Sequence, residues 1–226
     1  MNVKIINLGM IDYLESWNIQ KELLQRRINN EMGDVFIILE HPPVITIGKT
    51  GKKENVLADK EVLSRESIKI FYTDRGGDVT LHCPGQIVVY PIINLKDLKC
   101  DLHWYMKKLE HVIISLMNEY CVHAFTREGL TGVWTAGGKI ASIGIGVREW
   151  VTFHGVSLNV SPDLKYFSYV KPCGLDDVKM TSMEEFLKSS VDMEEVKTRL
   201  MEIFVKEMHD KNDIADISFN YGLVKA

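Results

Sequence analysis

The stretch from Thr131 to Gly174 constrains the fold more than any other part of the chain. A Gly-Gly-Lys turn ending at Lys139 opens it, and a Lys-Pro-Cys-Gly turn containing Cys173 closes it. Between the turns lie two runs rich in Val, Ile, Phe and Trp, a composition that predicts paired β-strands. We expect these strands to bring the amine of Lys139 to the thiol of Cys173.

The remainder of the chain alternates strand-like and helix-like segments. Helical periodicity is clearest at 101–120, where a single apolar stripe indicates a helix packed on a sheet. Further helices are predicted at 12–30, 182–190 and 193–209, and strands at 3–8, 35–39, 44–47, 68–72, 79–82, 87–93 with a break at Pro91, and 122–126. The pattern predicts one α/β domain spanning residues 1–226, with a mixed or antiparallel sheet packed by helices.

Composition narrows the class of protein. The chain has 226 residues, 46% of them apolar, which is enough to build one sizeable core. A net charge of −4 argues against a general nucleic-acid binder, which needs a basic face. No apolar run approaches the roughly 20 residues that a membrane helix requires. The N-terminus resembles a strand rather than a secretion signal, so a cytoplasmic protein with reduced thiols is expected.

Cys173 and Lys139 form the first candidate site. Taken alone, each has a plain explanation, because cysteines are usually small buried hydrophobic residues and surface lysines are usually solvated. Taken together they indicate catalysis, since a neighbouring cation raises the small thiolate fraction of a cysteine near pH 7. The same lysine could then act as base and acid in turn. The pair predicts an acyl-transfer site with cysteine as the nucleophile.

The loop from Arg75 to His82 forms the second candidate site. Its paired glycines allow the backbone to approach a ligand closely and to present N–H groups to a phosphate, a carbonyl oxygen or an oxyanion. The alternative is an ordinary hairpin turn. A Walker phosphate-binding loop is excluded because its sequence pattern is absent. The four cysteines include no CxxC pair, so a zinc site has little support.

Three histidines lie beside prolines or glycines. His82 and His154 flank glycine-rich turns, so either could line a site, whereas His41 is expected to be structural. The remaining histidines fall in helical or edge segments and are expected to have no chemical role: His103, His111, His123 and His209.

Four blocks of sequence match a known family. They are EHPPVITIGK at 40–49, RGGDVTLHCPGQIVVYPIINL at 75–95, TGVWTAGGKIASIGIGVREWVTFHGVSLNV at 131–160 and PCGLDDVKMTSM at 172–183. With these blocks in this order, the chain resembles the lipoyl(octanoyl) transferases, the octanoyl-[acyl-carrier-protein]:protein N-octanoyltransferases of lipoate biosynthesis. The resemblance implies a lipoate/biotin protein ligase-like fold.

The resemblance also implies a mechanism and its partners. Cys173 and Lys139 would form a Cys/Lys dyad, with Cys173 accepting the octanoyl group from acyl carrier protein as a thioester. A lysine of a lipoyl domain would then attack that thioester; the acceptors would be 2-oxoacid dehydrogenase E2 chains and the glycine cleavage H protein. Since a thioester already carries the acyl group, neither ATP nor another cofactor is expected, and no metal, nucleic acid or membrane is implied.

The same resemblance assigns the residues that bind the acyl group. They are the loop residues Arg75, Gly76, Gly77, Asp78, Val79, Thr80, Leu81 and His82, together with Ser142, Ile143, Gly144, Gly155, Val156 and Ser157, and His154 as an accessory residue. Two other readings stay open. One is an ATP-dependent ligase of the lipoate or biotin type, which would not need Cys173. The other is a non-catalytic acyl-binding protein.

Several positions depart from the family pattern. Cys83 stands where a glycine is usual, which could strain the loop if that position needs a positive φ, and its thiol is a rival nucleophile beside His82. Gly146 falls where a basic residue is common. Leu175 and Met183 are mild replacements for the usual Ile and Leu.

The acidic partners implied by the resemblance must dock on a chain that is itself net negative. Docking would therefore rely on local basic patches. The candidate lysines are Lys49, Lys52 and Lys53 in one loop, and Lys96 and Lys99 after a strand; ordinary solvated lysines are the alternative.

Overall fold

Two sheets and the helices around them make up the described part of the molecule. The computed structural model describes residues 3–172, 178–209 and 220–221, the last two by their backbone alone. The strands are β1 (Lys4–Met10), β2 (Val35–Glu40), β3 (Val44–Ile47), β4 (Lys69–Tyr72), β5 (Val79–His82), β6 (Gln86–Ile92), β7 (Phe125–Arg127), β8 (Leu130–Thr135), β9 (Gly138–Arg148), β10 (Val151–Asn159) and β11 (Asn220–Tyr221). The helices are α1 (Tyr13–Ile28), α2 (Lys60–Arg65), α3 (Leu102–Glu119), α4 (Met183–Leu187) and α5 (Met193–Met208).

The larger sheet is mixed. Among the described residues its strand order is β11-β1-β2-β6-β10-β9-β8-β7, with β1 parallel to its neighbours on both sides and the other pairs antiparallel. Helices α3 and α5 cover one face, where Phe36, Val89 and Leu158 are buried against them. Helix α1 covers part of the other face. A mixed sheet covered by helices is the predicted α/β arrangement, and the fold class is confirmed.

The smaller sheet stands beside the larger one and has the order β4-β3-β5. Its apolar residues form a core of their own with a 3-10 helical segment, Leu164–Tyr169. The chain leaves β2 of the larger sheet and enters β3 of the smaller one through His41-Pro42-Pro43. Because two successive prolines cannot donate ladder hydrogen bonds, the break predicted there is also the point where the chain changes sheet.

The central stretch forms the predicted pair of strands. β9 and β10 are antiparallel in continuous register from Val151 opposite Arg148 to Leu158 opposite Ala141. Polar caps explain where the neighbouring helices begin: the Asp101 side chain accepts the N–H of Trp104, and the Asp192 side chain accepts the N–H groups of Glu194 and Glu195.

Three predicted features differ from the structure, and one short helix was not predicted. Pro91 does not break its strand, because Thr152 on β10 compensates: its hydroxyl donates to the Pro91 carbonyl (2.7 Å) and accepts the N–H of Ile93 (3.1 Å). The strand expected at 122–126 lies at Phe125–Arg127 instead. Helix α2 was not predicted, since it is short and has no buried residue. The helix expected at 182–190 ends at Leu187, where Lys188 adopts a left-handed conformation.

A buried ion pair ties the end of α1 to the start of β2. The Nε atom of Arg27 lies 2.8 Å from Oδ1 of Asp34, and the two side chains are 4% and 1% exposed. Asp34 also accepts the N–H of Asn94 (3.1 Å), and Arg27 also contacts Asp97. The two carboxylates therefore compensate the guanidinium, with Arg27 and Asp34 buried and Asp97 partly exposed. In the described residues, no helix is long and apolar enough to cross a membrane.

Replacing Asp34 by Ala should destabilise the fold strongly. The change leaves the buried Arg27 guanidinium without its main counter-charge, and removing one partner of a buried pair typically costs about 3–5 kcal/mol. Urea denaturation would measure the loss. Glu202→Ala is the matched control, because it removes a carboxylate that pairs with Arg199 on the surface, where both side chains are nearly half exposed. Equal stabilities for the two variants would contradict the assignment.

Candidate active site

A cavity of about 470 Å³ opens between the two sheets. Strand β9 of the larger sheet, strand β5 of the smaller sheet and the loop between β4 and β5 supply much of its wall. Its lining is mostly apolar and glycine-rich, with a few polar groups, as is usual for sites that bind organic ligands. Its lining residues include Thr50, Arg75 to Leu81, Met106, Leu130, Thr131, Lys139, Ser142 to Ile145, Phe167, Val170, Pro172 and Met180.

The loop at the cavity is held in place by Arg75. Its guanidinium donates to the carbonyl oxygens of Thr46 (2.7 Å), Asp78 (2.7 Å) and Gly76 (3.0 Å), and to the hydroxyl of Thr46. The N–H of Gly76 donates to the carbonyl of Ile145 on β9 (2.7 Å). Arg75 therefore acts as an internal brace that joins both sheets through the loop, and only part of its surface faces the cavity.

Glycine is required at Gly77 and at Gly48 of the neighbouring loop. Gly77 has φ +85°, in the region that side chains rarely adopt. A Cβ atom on Gly48 would lie 2.3 Å from the carbonyl oxygen of Gly77. The two backbones thus approach more closely than any other residue would permit, which fixes the shape of this wall.

Lys139 lies inside the cavity wall rather than on a solvated turn. It is the second residue of β9, and its side chain is buried, with only 2% of the residue exposed. Its N–H donates to the carbonyl of Lys179 (2.8 Å), and its own carbonyl accepts the N–H of Thr181 (3.0 Å). The plain explanation of a solvated lysine is therefore wrong for this residue. A buried amine that lines a ligand-sized cavity is a candidate for chemistry.

Cys173 lies outside the described residues, so its predicted meeting with Lys139 stays a prediction. Both sides of its segment can be described. Pro172, which directly precedes Cys173 in the sequence, lines the cavity together with Lys139. On the other side, Lys179 and Thr181 pair with the backbone of Lys139, and Met180 lines the cavity.

A second, smaller pocket of about 40 Å³ adjoins the cavity. The two share Arg75, Thr80, Ser142, Ile143 and Gly144. His82, Gly155, Val156 and Ser157 line the smaller pocket. Every one of the fourteen residues that the resemblance assigns to acyl binding thus lines one of two adjoining pockets; whether they bind an acyl group remains a proposal.

His154 is aimed at the small pocket by an unusual backbone conformation. It has φ +53° in the middle of β10, whose neighbouring residues alternate between the two faces of the sheet. Its Nε2 atom lies 2.8 Å from Oδ1 of Asp74, and its N–H donates to Oε1 of Gln20 on α1. Burial lowers the pKa of His154, although the contact with Asp74 partly offsets this, and the hydrogen bond from His154 lowers the pKa of Asp74.

His41 and His82 belong to a buried aromatic cluster that also contains Tyr13 and Tyr90. The two ring nitrogens of His41 contact the carbonyl of Ile11 (2.8 Å) and the hydroxyl of Tyr90 (2.9 Å). Burial lowers the pKa of His41 to about 4. Burial, together with the nearby His41 charge, lowers the pKa of His82 to about 3. Both rings are therefore neutral near pH 7, and the structural role expected for His41 agrees with its contacts.

Cys83 is ill suited to be a nucleophile. It is fully buried in the core of the smaller sheet, and this burial raises the pKa of its thiol to about 12. The concern that this position needs a positive φ was also wrong. The conformation belongs to Gly85, which has φ +85° and whose added Cβ would lie 2.5 Å from the carbonyl oxygen of Ser161.

The structure also explains the glycine at position 146. Gly146 lies opposite Phe153 in the β9–β10 ladder, and an added Cβ would be 2.3 Å from the Phe153 ring. The aromatic ring therefore occupies the space above the glycine, and a basic side chain has no room there. Met183 is likewise buried in the main core, where a flexible apolar side chain fits readily.

Sequence reasoning missed the part of the wall that comes from distant segments. Met106 projects from α3, Phe167 and Val170 come from the 3-10 segment and the residue after it, and Tyr13 and Tyr90 close the small pocket. Each is an apolar or aromatic residue in a segment with core-like periodicity, so no local motif marked it. They come together because α1 packs on β6 and β10 while α3 packs on β8, β9 and β10.

Comparison with known proteins places this site in a family. The model of the lipoyl protein ligase A/B catalytic domain matches residues 12–205. The chain belongs to the lipoyl protein ligase A/B catalytic domain family. An octanoyltransferase from Caldicellulosiruptor saccharolyticus is 42% identical over 208 residues, covering 91% of this chain and 88% of that protein. Another from Solibacter usitatus is 45% identical over 192 residues, covering 84% and 87%.

A solved structure supports the fold. A putative lipoate protein ligase from T. acidophilum with bound lipoic acid superposes with a TM-score of 0.73 at 13% identity, covering all of this chain and 90% of the other. The low identity carries information about the fold alone, and that fold is the one expected from the sequence. With octanoyltransferases as its sequence relatives, this member of the lipoyl protein ligase A/B catalytic domain family is an acyltransferase.

Acid should destabilise the protein in a way that depends on His41. The unfolded chain binds a proton at this histidine near its ordinary pKa of 6.5, whereas the folded protein binds it only near 4. Between these values the unfolded state holds more protons, so the free energy of unfolding falls as pH falls, by up to about 1.4 kcal/mol per pH unit for one histidine.

Urea denaturation at several pH values checks this dependence. We expect His41→Gln to be less stable than the wild type at pH 7. Between pH 6.5 and 4 its free energy of unfolding should fall less steeply, because about one proton fewer is taken up on unfolding. His123→Gln, at an exposed site, is the control and should leave the slope unchanged. A His41→Gln slope equal to that of the wild type would show that this ring is not buried in its neutral form.

Proposed function

We propose that this protein transfers an octanoyl group from octanoyl-acyl carrier protein to a lysine of a lipoyl domain, through a thioester on Cys173. The observation that carries the proposal is the buried amine of Lys139, which lines the same cavity as Pro172, the residue next to Cys173 in the chain. The octanoyltransferases at 42% and 45% identity support octanoyl as the acyl group.

The cavity suits a medium-length acyl chain. Its 470 Å³ lies within the range of about 300–1,000 Å³ that is usual for small-molecule sites. Leu81, Met106, Ile143 and Phe167 offer apolar contact, and burial of an alkyl chain against such groups gains about 0.8 kcal/mol per methylene. The glycines of the 76–77 loop allow the thioester end to approach the backbone.

The first half-reaction moves the acyl group to the enzyme. Lys139 accepts the thiol proton of Cys173, and the resulting thiolate attacks the carbonyl carbon of the donor thioester. A new S–C bond forms, the S–C bond to the carrier breaks, and the carrier thiolate takes the proton from the Lys139 ammonium. We assign stabilisation of the transient oxyanion to the N–H groups of Gly77 and Asp78, because that of Gly76 is already bonded to Ile145.

The second half-reaction moves the acyl group to the acceptor. The amine of a lipoyl-domain lysine attacks the enzyme thioester, an N–C bond forms, and Cys173 leaves as thiolate. One proton of the attacking amine passes to Lys139 and from there to the departing sulfur, which restores the resting pair. The conversion of a thioester into an amide is downhill, so no nucleotide is required.

The alternative is an ATP-dependent ligase of the same fold. The T. acidophilum neighbour, with its bound lipoic acid, shows that this fold also occurs in a putative ligase. The sequence relatives favour the transferase, because they are octanoyltransferases over nine-tenths of the chain. A ligase would transfer octanoate supplied as the free acid with ATP and would not depend on Cys173.

Mass spectrometry of the intact protein tests the proposed intermediate. After incubation with octanoyl-acyl carrier protein, the wild type should carry one octanoyl group, which added apo lipoyl domain should remove. Cys173→Ala should carry none and lose transfer activity by at least about a thousandfold, as expected when a catalytic nucleophile is removed.

Cys83→Ala is the matched control, since it removes a thiol that is buried away from the cavity, and it should be acylated like the wild type. Transfer from free octanoate and ATP by Cys173→Ala would instead establish the ligase. Absence of both the adduct and transfer in the wild type would leave a non-catalytic acyl-binding protein.

The loop carrying Lys49, Lys52 and Lys53 is the better candidate for docking the acidic partners. All three lysines are exposed, and Thr50 of the same loop lines the cavity. Lys96 and Lys99 are also exposed, but Lys99 is paired with Asp101 at 3.1 Å and neither lines the cavity. A basic rim at the cavity mouth would attract a carrier protein during its approach.

Reversing the three loop charges to Glu should lower kcat/KM for octanoyl-acyl carrier protein by about tenfold at low salt. It should also flatten the fall of kcat/KM with added salt, because attraction between the partners has been removed. Lys96→Glu/Lys99→Glu tests the competing patch, and Lys4→Glu, on β1, shows the effect of a charge reversal outside both patches. A lower kcat/KM in the Lys96→Glu/Lys99→Glu variant alone would assign docking to that patch. If the salt dependence of kcat/KM is the same in all variants, neither patch docks the carrier protein.

A further inference from the structure

We infer that Trp134 is a positioning residue for Lys139, and that its indole ring stabilises the ammonium form of that lysine when it takes the thiol proton. The inference rests on the proposed Cys173/Lys139 mechanism and goes beyond it by naming what supports the charge. Trp134 and Lys139 lie directly opposite each other in the β8–β9 ladder. The Nζ atom of Lys139 lies 5.6 Å from the centroid of the Trp134 ring.

Burial creates the need for such support. Both residues are only 2% exposed, so the amine has lost most of its contact with water. Burial disfavours the charged form of an amine, and an ammonium in such a place requires partners that compensate for the lost hydration. The face of an indole ring carries partial negative charge and attracts a cation within about 6 Å. The ring therefore favours the proton on Lys139 over the proton on sulfur.

Gly132 provides the space in which the lysine side chain lies. It has φ +125°, and an added Cβ would be 2.6 Å from the carbonyl oxygen of Ala141, 2.6 Å from Cε of Lys139 and 3.2 Å from Nζ of Lys139. Its N–H donates to Oε1 of Glu110 on α3 (3.1 Å), which fixes this part of β8. The side chain of Lys139 on β9 thus lies over the backbone of Gly132 on β8, and the indole ring of Trp134 stands opposite Lys139 on the same strand β8.

A second cation, the guanidinium of Arg127, also contacts the Trp134 ring. Its guanidinium carbon lies 4.3 Å from the centroid of the Trp134 ring, and Arg127 itself is exposed. The ring therefore contacts one solvated cation and one buried amine. Because only the buried amine has lost its water, the ring matters most to Lys139.

The expected consequence is a smaller thiolate fraction when the ring is removed. When Cys173 gives its proton to Lys139, the products are a thiolate and an ammonium, and loss of the ring favours return of the proton to sulfur. We expect Trp134→Leu to slow alkylation of Cys173 by iodoacetamide at pH 7 about tenfold and to move the midpoint of its pH profile upward. Trp134→Phe keeps an aromatic ring, so its rate of Cys173 alkylation should lie between the rates of the wild type and of Trp134→Leu.

Peptide mass spectrometry follows alkylation at Cys173 and at Cys83 in the same sample. Cys83 is fully buried, so it reports folding: protein in which Cys83 stays unreactive is folded, and its Cys173 rate can be interpreted. Gly132→Ala should also shift the profile upward, because its added Cβ would lie 2.6 Å both from Cε of Lys139 and from the backbone carbonyl oxygen of Ala141, so that β8, β9 and the lysine must move apart. Gly9→Ala controls for strain alone, because Gly9 also has a positive φ but an added Cβ there meets nothing within 4 Å.

Lys139→Met separates failure of this inference from failure of the mechanism. If Lys139→Met leaves the alkylation profile of Cys173 unchanged, the Cys/Lys dyad is wrong and the role of Trp134 falls with it. If Lys139→Met shifts the profile but folded Trp134→Leu does not, the dyad stands and the inference about Trp134 is overturned. In the Lys139→Met background, Trp134→Leu should have no further effect, and a further slowing there would show that the ring acts by another route.

Discussion

Burial of a lysine amine is the constraint on which the rest of this site depends. An ammonium without water is costly unless other groups compensate, and the fold surrounds Lys139 with the means to do so. Strand β8 contributes the indole of Trp134 and the bare backbone of Gly132, while residues 179–181 hold the lysine backbone on the other side. The large and small sheets meet here, so the amine stands where a medium-sized cavity and a polar backbone loop come together.

The loop of Arg75 shows how such a cavity is kept open. Gly76 and Gly77 could collapse into many conformations if left alone. The guanidinium instead holds three backbone carbonyls, and the N–H of Gly76 is bound to β9. The contact between His154 and Asp74 adds a third link, from β10 to the residue that precedes Arg75. The shape of the wall is thus set before any ligand arrives, which reduces the entropic cost of binding.

Much of the fold and of the candidate site could be predicted from the sequence, for identifiable reasons. The strands β9 and β10 were predictable because their runs of β-branched and aromatic residues lie between the Gly-Gly-Lys and Lys-Pro-Cys-Gly sequences. The lining of the pockets by Arg75–His82, Ser142–Gly144 and Gly155–Ser157 matched the segments named by family resemblance. The burial of Lys139 was not predictable, because a Gly-Gly-Lys sequence alone suggests a solvated turn. Continuation of β6 through Pro91 depends on a hydroxyl from Thr152, a contact between strands that lie sixty residues apart in the chain.

The engagement of Arg75 has a consequence for selectivity. A guanidinium beside an acyl cavity would normally be expected to grip a carboxylate, and would then retain free fatty acids. Here its nitrogen atoms are turned toward the protein's own carbonyl oxygens and toward the hydroxyl of Thr46. On this wall a carboxylate would meet glycine backbone and hydrocarbon rather than the guanidinium, and the other cationic side chain in the described lining of the cavity is Lys139. If the protein acts as proposed, the Arg75 wall would give a hydrolysed fatty acid no charged anchor, so this wall would not by itself favour the free acid over the thioester.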